Sequence, residues 1–196
     1  MAEIKRISGP INEYVELAQL HYQYIPVVTD IELWNGDMSL PNSPHVELVR
    51  LMLTMKNGLR WDEIKQTRYY KDRMFRVGHG VGNEIYVQTK IMSRHIVLKK
   101  ILKHGFDRKK SNECPIVILN EPFWKTRFQA KEPWLNGMEI WDGGGRCAIA
   151  YVLGETKVPA YIYEDAHPGL GTSKKFKKKL HGVKGLFDGI DHNTKL

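Results

Sequence analysis

The sequence predicts an α+β protein with an α/β-like core, in which a helical N-terminal half packs on a small mixed sheet. Residues 43–105 hold three stretches of helical apolar periodicity, each bounded by a start or stop signal. Pro115-Ile116-Val117-Ile118-Leu119 is a continuous apolar run of strand length, the pattern of a strand buried on both faces. Between Gly137 and Tyr163 a strand, a glycine loop, a helix and a second strand follow one another.

Residues 1–42 are mixed in pattern. Ile11–Tyr22 has a broad apolar face (Ile11, Tyr14, Val15, Leu17, Ala18, Leu20) and predicts a helix. Ile25-Pro26-Val27-Val28 predicts a short extended piece, and Asn35-Gly36-Asp37 a turn. Ser43-Pro44 is a helix start, with a capping hydroxyl and then proline in the first turn; Asn57-Gly58 is the expected stop. A second helix is expected from Trp61 to Arg76, ending at Gly78, and a third from about Asn83 to His104, ending at Gly105. Gly78-His79-Gly80-Val81-Gly82 links them. Asn120–Asn136 reads as an excursion or hairpin. Gly137–Ile140 predicts a strand, Cys147–Leu153 a short helix stopped by Gly154, and Val158–Tyr163 a further strand.

These elements divide into a mainly helical region (1–93), a core (94–170) and a basic tail (171–196) that form one folding unit, because the boundary falls inside the third helix. At 196 residues the chain is long enough for one good core. No run of about 18 apolar residues is present, so no membrane association is expected. The first residues lack an apolar signal core, and two lone cysteines, Cys114 and Cys147, fit a reducing compartment; a cytoplasmic location is the expectation. The net charge of +8 favours polyanionic partners or nucleotides.

The chemistry concentrates at Trp141-Asp142-Gly143-Gly144-Gly145-Arg146. A glycine loop between a strand and a helix N-terminus directs backbone N–H groups at an anion, and glycines remove the Cβ atoms that would hold a phosphate away. Arg146 adds a planar, permanently charged fork. Gly143, Gly144, Gly145 and Arg146 are therefore candidate phosphate ligands. Asp142, at a strand's C-terminal end, is a candidate Mg²⁺ ligand, proton acceptor or helix cap. Glu164 and Asp165, after the last strand, are candidates for positioning Mg²⁺ or acting as general base. Lys174, Lys175, Lys177, Lys178 and Lys179 form a run that would neutralise nucleic-acid phosphates, or serve simply as a solvated stretch.

The order of these pieces resembles the ParB/sulfiredoxin superfamily over about residues 94–166. The match runs through Ile116–Leu119, then Glu139-Ile140-Trp141-Asp142-Gly143-Gly144-Gly145-Arg146, Ala148–Ala150, Leu153-Gly154 and Val158-Pro159. Leu98–Gly105 looks like the family's helix before the first strand. The resemblance implies a small fold that binds ATP or CTP with Mg²⁺, the phosphates held at the Gly-x-x-Arg loop, with Gly143 and Arg146 carrying over directly. Sulfiredoxins have Gly-Cys-His-Arg, whereas Gly144 and Gly145 stand at the middle positions here and Cys147 follows the arginine, which argues against sulfinic-acid repair. Partition-type members have Gly-Glu-Arg-Arg and then a helix-turn-helix domain; here the glutamate and first arginine are absent and about thirty residues follow the unit, so a chromosome-partition clamp is not the expectation. The expected function is a Mg²⁺-dependent, kinase-like phosphotransferase or a nucleotide hydrolase. The alternative is a DNA- or RNA-binding protein or nuclease using the basic loop and lysine-rich tail; a non-catalytic interaction domain is a third reading.

Other residues carry weaker signals. Lys99 and Lys103 share a helix face with Lys100 nearby, the usual arrangement of a solvated face. Arg94 and His95 lie where the family often has phosphate contacts but match no motif. His45 in a first helical turn, and Arg68-Tyr69-Tyr70, read first as capping and packing residues. No zinc pattern and no nucleophile constellation is present.

Overall fold

The computed structural model describes residues 14–23, 28–55, 58–105, 116–119 and 138–163. Its strands are β1 (Tyr14–Glu16), β2 (Leu20–Tyr22), β3 (Ile116–Leu119), β4 (Met138–Asp142) and β5 (Lys157–Tyr163). Its α-helices are α1 (Pro44–Leu53), α2 (Trp61–Gln66), α3 (Arg68–Gly78), α4 (Glu84–His104) and α5 (Gly144–Val152). The strands form one mixed sheet of order β1-β5-β3-β4-β2. β3 pairs parallel with β5 and antiparallel with β4, while β2 pairs parallel with β4 and β1 antiparallel with β5. This is an α+β architecture. Among the described residues no helix is long and apolar enough to cross a membrane.

The helix expected over residues 11–22 is absent from its described part. Residues 14–22 form β1, a 3-10 turn (Leu17–Gln19) and β2. Local apolar periodicity loses here to tertiary pairing: Val15 lies opposite Val158 in the β5 ladder, and Tyr22 lies opposite Ile140 in the β4 ladder. One short segment thus supplies both edges of a sheet whose interior strands come from residues 116–163. Beyond β2, Tyr22 N–H donates to Met38 O (2.8 Å) and Leu40 N–H to Leu20 O (2.8 Å).

The helix starts follow their capping chemistry. Ser43 caps α1 by accepting from Val46 N–H, and Asn83 caps α4 by accepting from Tyr86 N–H. The single helix expected over 61–76 is two. Thr67 takes extended angles (φ −65°, ψ 148°); its hydroxyl donates to Ile64 O (2.6 Å) and accepts from Tyr70 N–H (3.2 Å), closing α2 and opening α3. α1 ends at Leu53, before the expected stop, where the Thr54 hydroxyl donates to Leu51 O. The Asn35-Gly36 turn forms as expected, with Asn35 in the left-handed region. Asn120–Asn136 and most of Ile25–Val28 lie outside the described residues.

One face of the sheet carries the main core. Ile116, Ile118, Ile140, Val158 and Ala160 are buried with Cys147, Ala148, Ile149 and Ala150 of α5. The small residues of α5 let it settle between that sheet face and α1, whose Val46, Leu48, Val49 and Met52 are buried. α3 packs on α1 and α4, and α4 reaches α5. Asp72 of α3 fixes this corner: it accepts from Trp34 Nε1 (2.9 Å) and from Arg76 Nε (3.1 Å) and is wholly buried.

Asp72→Ala would strand the buried Arg76 guanidinium and the Trp34 N–H together. The expected loss of stability is about 3–5 kcal/mol by urea unfolding; a loss within the ordinary surface range would refute this role for Asp72.

Candidate functional site

The glycine stretch is a helix N-terminus more than a loop. β4 continues through Trp141 to Asp142, two residues beyond the expected strand, and α5 begins at Gly144, three residues before the expected helix. Gly143 alone lies between them, with φ 91°, a conformation that disfavours any Cβ.

Each glycine is also tied to a different neighbour. A Cβ on Gly143 would stand 2.8 Å from Ile116 Cγ1 and 3.0 Å from Arg146 Nη2. On Gly144 it would stand 2.6 Å from Tyr22 Cε1, and on Gly145 2.7 Å from Arg94 Nε. The triplet therefore lets β3, the Tyr22 ring and the Arg94 guanidinium close on the first turn of α5. Tyr22 Oη donates to Gly144 O (2.6 Å), locking that approach. Gly143 O accepts from Arg146 N–H (2.8 Å) and Cys147 N–H (3.0 Å). The N–H groups of Gly144 and Gly145 have no acceptor among the described residues, the orphan donors of a helix start. Asp142 does not cap them: its Oδ1 accepts from Gly143 N–H at 2.8 Å.

This helix start opens onto a cavity of 420 Å³, within the size range of small-molecule sites. Among the described residues its wall carries five cationic side chains, Arg73, Arg76, Lys90, Arg94 and Arg146, and one carboxylate, Asp142. Asp72 behind Arg76 offsets part of that charge. Two of the arginines lean on one aromatic ring. Arg94 Cζ lies 4.6 Å and Arg73 Cζ 5.2 Å from the Tyr69 ring centroid. Arg73 also donates from Nη2 to His45 Nε2 (3.2 Å). Two guanidinium nitrogens, Arg73 Nε and Arg94 Nη1, are buried without a hydrogen-bond acceptor among the described residues, although Asp72 Oδ2 lies 4.0 Å from Arg73 Nε.

The field of these cations reaches the neighbouring titratable groups. His45 stacks on Tyr22 (centroids 4.0 Å apart) and meets the Tyr69 ring edge-on. Burial, then Arg94, Arg73 and Arg76, hold its pKa well below the ordinary imidazole range, so the ring is neutral and accepts at Nε2. Burial of Tyr69 raises its phenol, but Arg94 and Arg73 together outweigh this and bring it below the usual value. Burial pushes the Cys147 thiol up to about 12, which removes it as a nucleophile at neutral pH.

Of the sequence candidates, Asp142, Gly143, Gly144, Gly145 and Arg146 come together at this cavity. Glu164, Asp165 and the lysines 174, 175, 177, 178 and 179 lie outside the described residues. Lys99, Lys100 and Lys103 are exposed on α4 away from the cavity, and Arg68 pairs with Glu47. His45 and Tyr69, read first as capping and packing residues, line the cavity. Sequence reasoning assigned no role to Arg73, Arg76 and Lys90; the only signal was their four-residue spacing from Tyr69, Asp72 and Tyr86 on helical faces. Among the described residues no group of three or more His, Cys, Asp or Glu side chains could hold a metal ion alone.

The pH dependence of stability follows from His45. Unfolded, its imidazole titrates near about 6.5; folded, it resists protonation. On acidification below that value the unfolded state takes up a proton that the folded state refuses, so stability is full above it and falls below it. The expected slope is up to about 1.4 kcal/mol per pH unit in urea unfolding. His45→Phe, which keeps a ring on Tyr22, should flatten it; His95, also shifted down by burial and then Lys99, leaves a residual slope. An unchanged slope in His45→Phe would refute the assignment. No family model, curated protein or solved structure matches this chain, so the chemistry of the site rests on its own geometry.

Proposed function

We propose that the protein binds the triphosphate of a nucleotide, ATP or CTP, in this cavity and transfers the terminal phosphoryl group to an acceptor or to water. The observation that carries the reading is the pair of N–H groups at Gly144 and Gly145, without acceptors among the described residues, opening onto a cavity walled by five cations. Helix N-termini favour anions through these donors and through the helix dipole. Arg94, packed against Gly145, and Arg146, folded back over Gly143, supply full charges beside them. A chain of several phosphates suits that excess; a single carboxylate would leave most of it uncompensated.

The ParB/sulfiredoxin-like relationship belongs to the same proposal. It is supported by β3, β4, the glycine stretch, α5 and β5 following one another in the expected order.

Phosphoryl transfer needs positioning and charge stabilisation more than covalent help. The acceptor oxygen bonds to the terminal phosphorus, the bond from that phosphorus to the bridging oxygen breaks, and the nucleoside diphosphate leaves. Asp142, at the C-terminal end of β4 and on the cavity wall, is placed to take the acceptor's proton. Its Oδ1 is oriented by the Gly143 N–H. The donor set also fits Mg²⁺ carried by a nucleotide, which takes one or two carboxylates together with phosphate oxygens and water. With Asp142 taking the proton, that ion would be held by phosphate oxygens and water; with Asp142 holding it, the proton would pass to water. In either case the ion would neutralise charge developing on the phosphate oxygens. A cavity of this size accepts a small ligand, which supports nucleotide chemistry at this site.

Isothermal titration with ATP and with CTP, each with and without Mg²⁺, tests the reading. Binding of at least one is expected, weakened about tenfold or more by Arg146→Ala or Arg94→Ala. No binding of either nucleotide, or undiminished binding in both variants, would overturn it.

A further inference from the structure

We propose that one face of α4 is the nucleoside subsite of this cavity, with Tyr86 as the surface on which the base stacks. The inference rests on the phosphate reading above and adds the direction in which the ligand lies.

Helix α4 presents Tyr86, Lys90, Ser93, Arg94 and Val97 to the cavity, one helical face. Tyr86, Lys90 and Arg94 recur every four residues, about 6 Å per step. The inner end of this ladder is fixed, because Arg94 packs against Gly145 at the start of α5. The outer end is Tyr86, which is 48% exposed. Lys90 stands between them, its Nζ 5.2 Å from the Tyr86 centroid. Along the helix axis the ladder from Tyr86 to Arg94 rises about 12 Å. The terminal phosphate then lies inward at Gly144 and Gly145, the inner part of the chain passes Lys90, and the base lies outward at the rim.

Three other aromatic groups of the cavity are already engaged. Tyr22 stacks on His45 and bonds Gly144 O, Trp34 donates to Asp72, and Tyr69 lies under two guanidinium groups. Tyr86 is half exposed and nonetheless held in place. Its Cδ1 lies 2.8 Å from where a Cβ on Gly82 would stand, so the missing side chain at Gly82 lets the loop backbone brace the ring. Lys90 places one flexible ammonium over this braced, half-exposed ring; a base stacking there would displace it toward the phosphates. Stacking tolerates every base, so this platform serves ATP and CTP alike.

Titration of the full chain with ATP, CTP and inorganic tripolyphosphate separates the subsite from the phosphate reading. Tyr86→Leu is expected to weaken ATP and CTP about tenfold or more and to leave tripolyphosphate unchanged, while Tyr86→Phe keeps all three. Arg146→Ala is expected to weaken all three. Unchanged ATP and CTP binding in Tyr86→Leu overturns the subsite, as does an equal loss of tripolyphosphate. Failure of tripolyphosphate to bind the unmodified protein removes the phosphate reading, and the subsite with it. Tyr86 is far enough from the core that an unaltered thermal midpoint is expected in both variants.

Discussion

Three consecutive glycines bring the two halves of the chain into contact, and the cavity exists because they do. A methyl group at Gly143 would strike Ile116 of β3, at Gly144 the Tyr22 ring of β2, and at Gly145 the Arg94 side chain of α4. The Tyr22–Gly144 hydrogen bond then joins residues 122 apart in sequence. If any of these approaches opened, α5 would lift from the sheet edge or from α4, and the cations of α3 and α4 would no longer face its first turn. The glycines therefore have two consequences at once. They allow close packing behind the helix start, and they leave its N–H groups bare in front.

The second organising constraint is an excess of cations over carboxylates. Arg73 and Arg94 are held over the Tyr69 ring; among the described residues Asp142 is the cavity's one acidic lining residue, and Asp72 is already committed to Trp34 and Arg76. A buried cationic N–H lacking an acceptor costs on the order of 1–3 kcal/mol, and among the described residues Arg73 Nε and Arg94 Nη1 both lack one, Arg73 Nε having only the longer Asp72 ion pair at 4.0 Å. The cavity is thus less stable than its packing alone would make it. An anion that supplied the acceptors would return that stability and raise the unfolding midpoint in a concentration-dependent way. The neutral state of His45 belongs to the same balance, since a protonated ring would add another cation beside three arginines.

Much of this was legible in the sequence. The capping hydroxyl of Ser43, the start of α4 near Asn83 and its end at Gly105, and the order β3–β4–α5–β5 all follow from local chemistry and period. The anion-facing character of Gly143–Arg146 was legible because glycines between a strand and a helix leave backbone N–H groups unshielded at the positive end of the helix dipole. What local patterns missed was set by partners distant in sequence. The apolar face over Ile11–Tyr22 suits a helix as readily as two short strands, and pairing with β5 and β4 decides between them. Thr67 breaks a long apolar pattern through a hydroxyl used twice, a detail that periodicity averages away. Arg73, Arg76 and Lys90 resemble any surface cations until α3 and α4 fold over α5. The start of α5 at Gly144 was hidden for a related reason: two glycines look like loop, yet close contacts with Tyr22 and Arg94 hold them in a helical first turn.

Everything proposed for this site depends on the N–H groups of Gly144 and Gly145 receiving phosphate. Amide chemical shifts followed by NMR during titration with tripolyphosphate read those two groups individually. Saturable downfield shifts of the Gly144 and Gly145 amide protons are expected, with Arg94 and Arg146 side-chain signals moving in parallel. Glycine amides that stay fixed while signals of the lysine run at 174–179 move would refute phosphate binding at the helix start, because the anion would then be meeting the basic run instead.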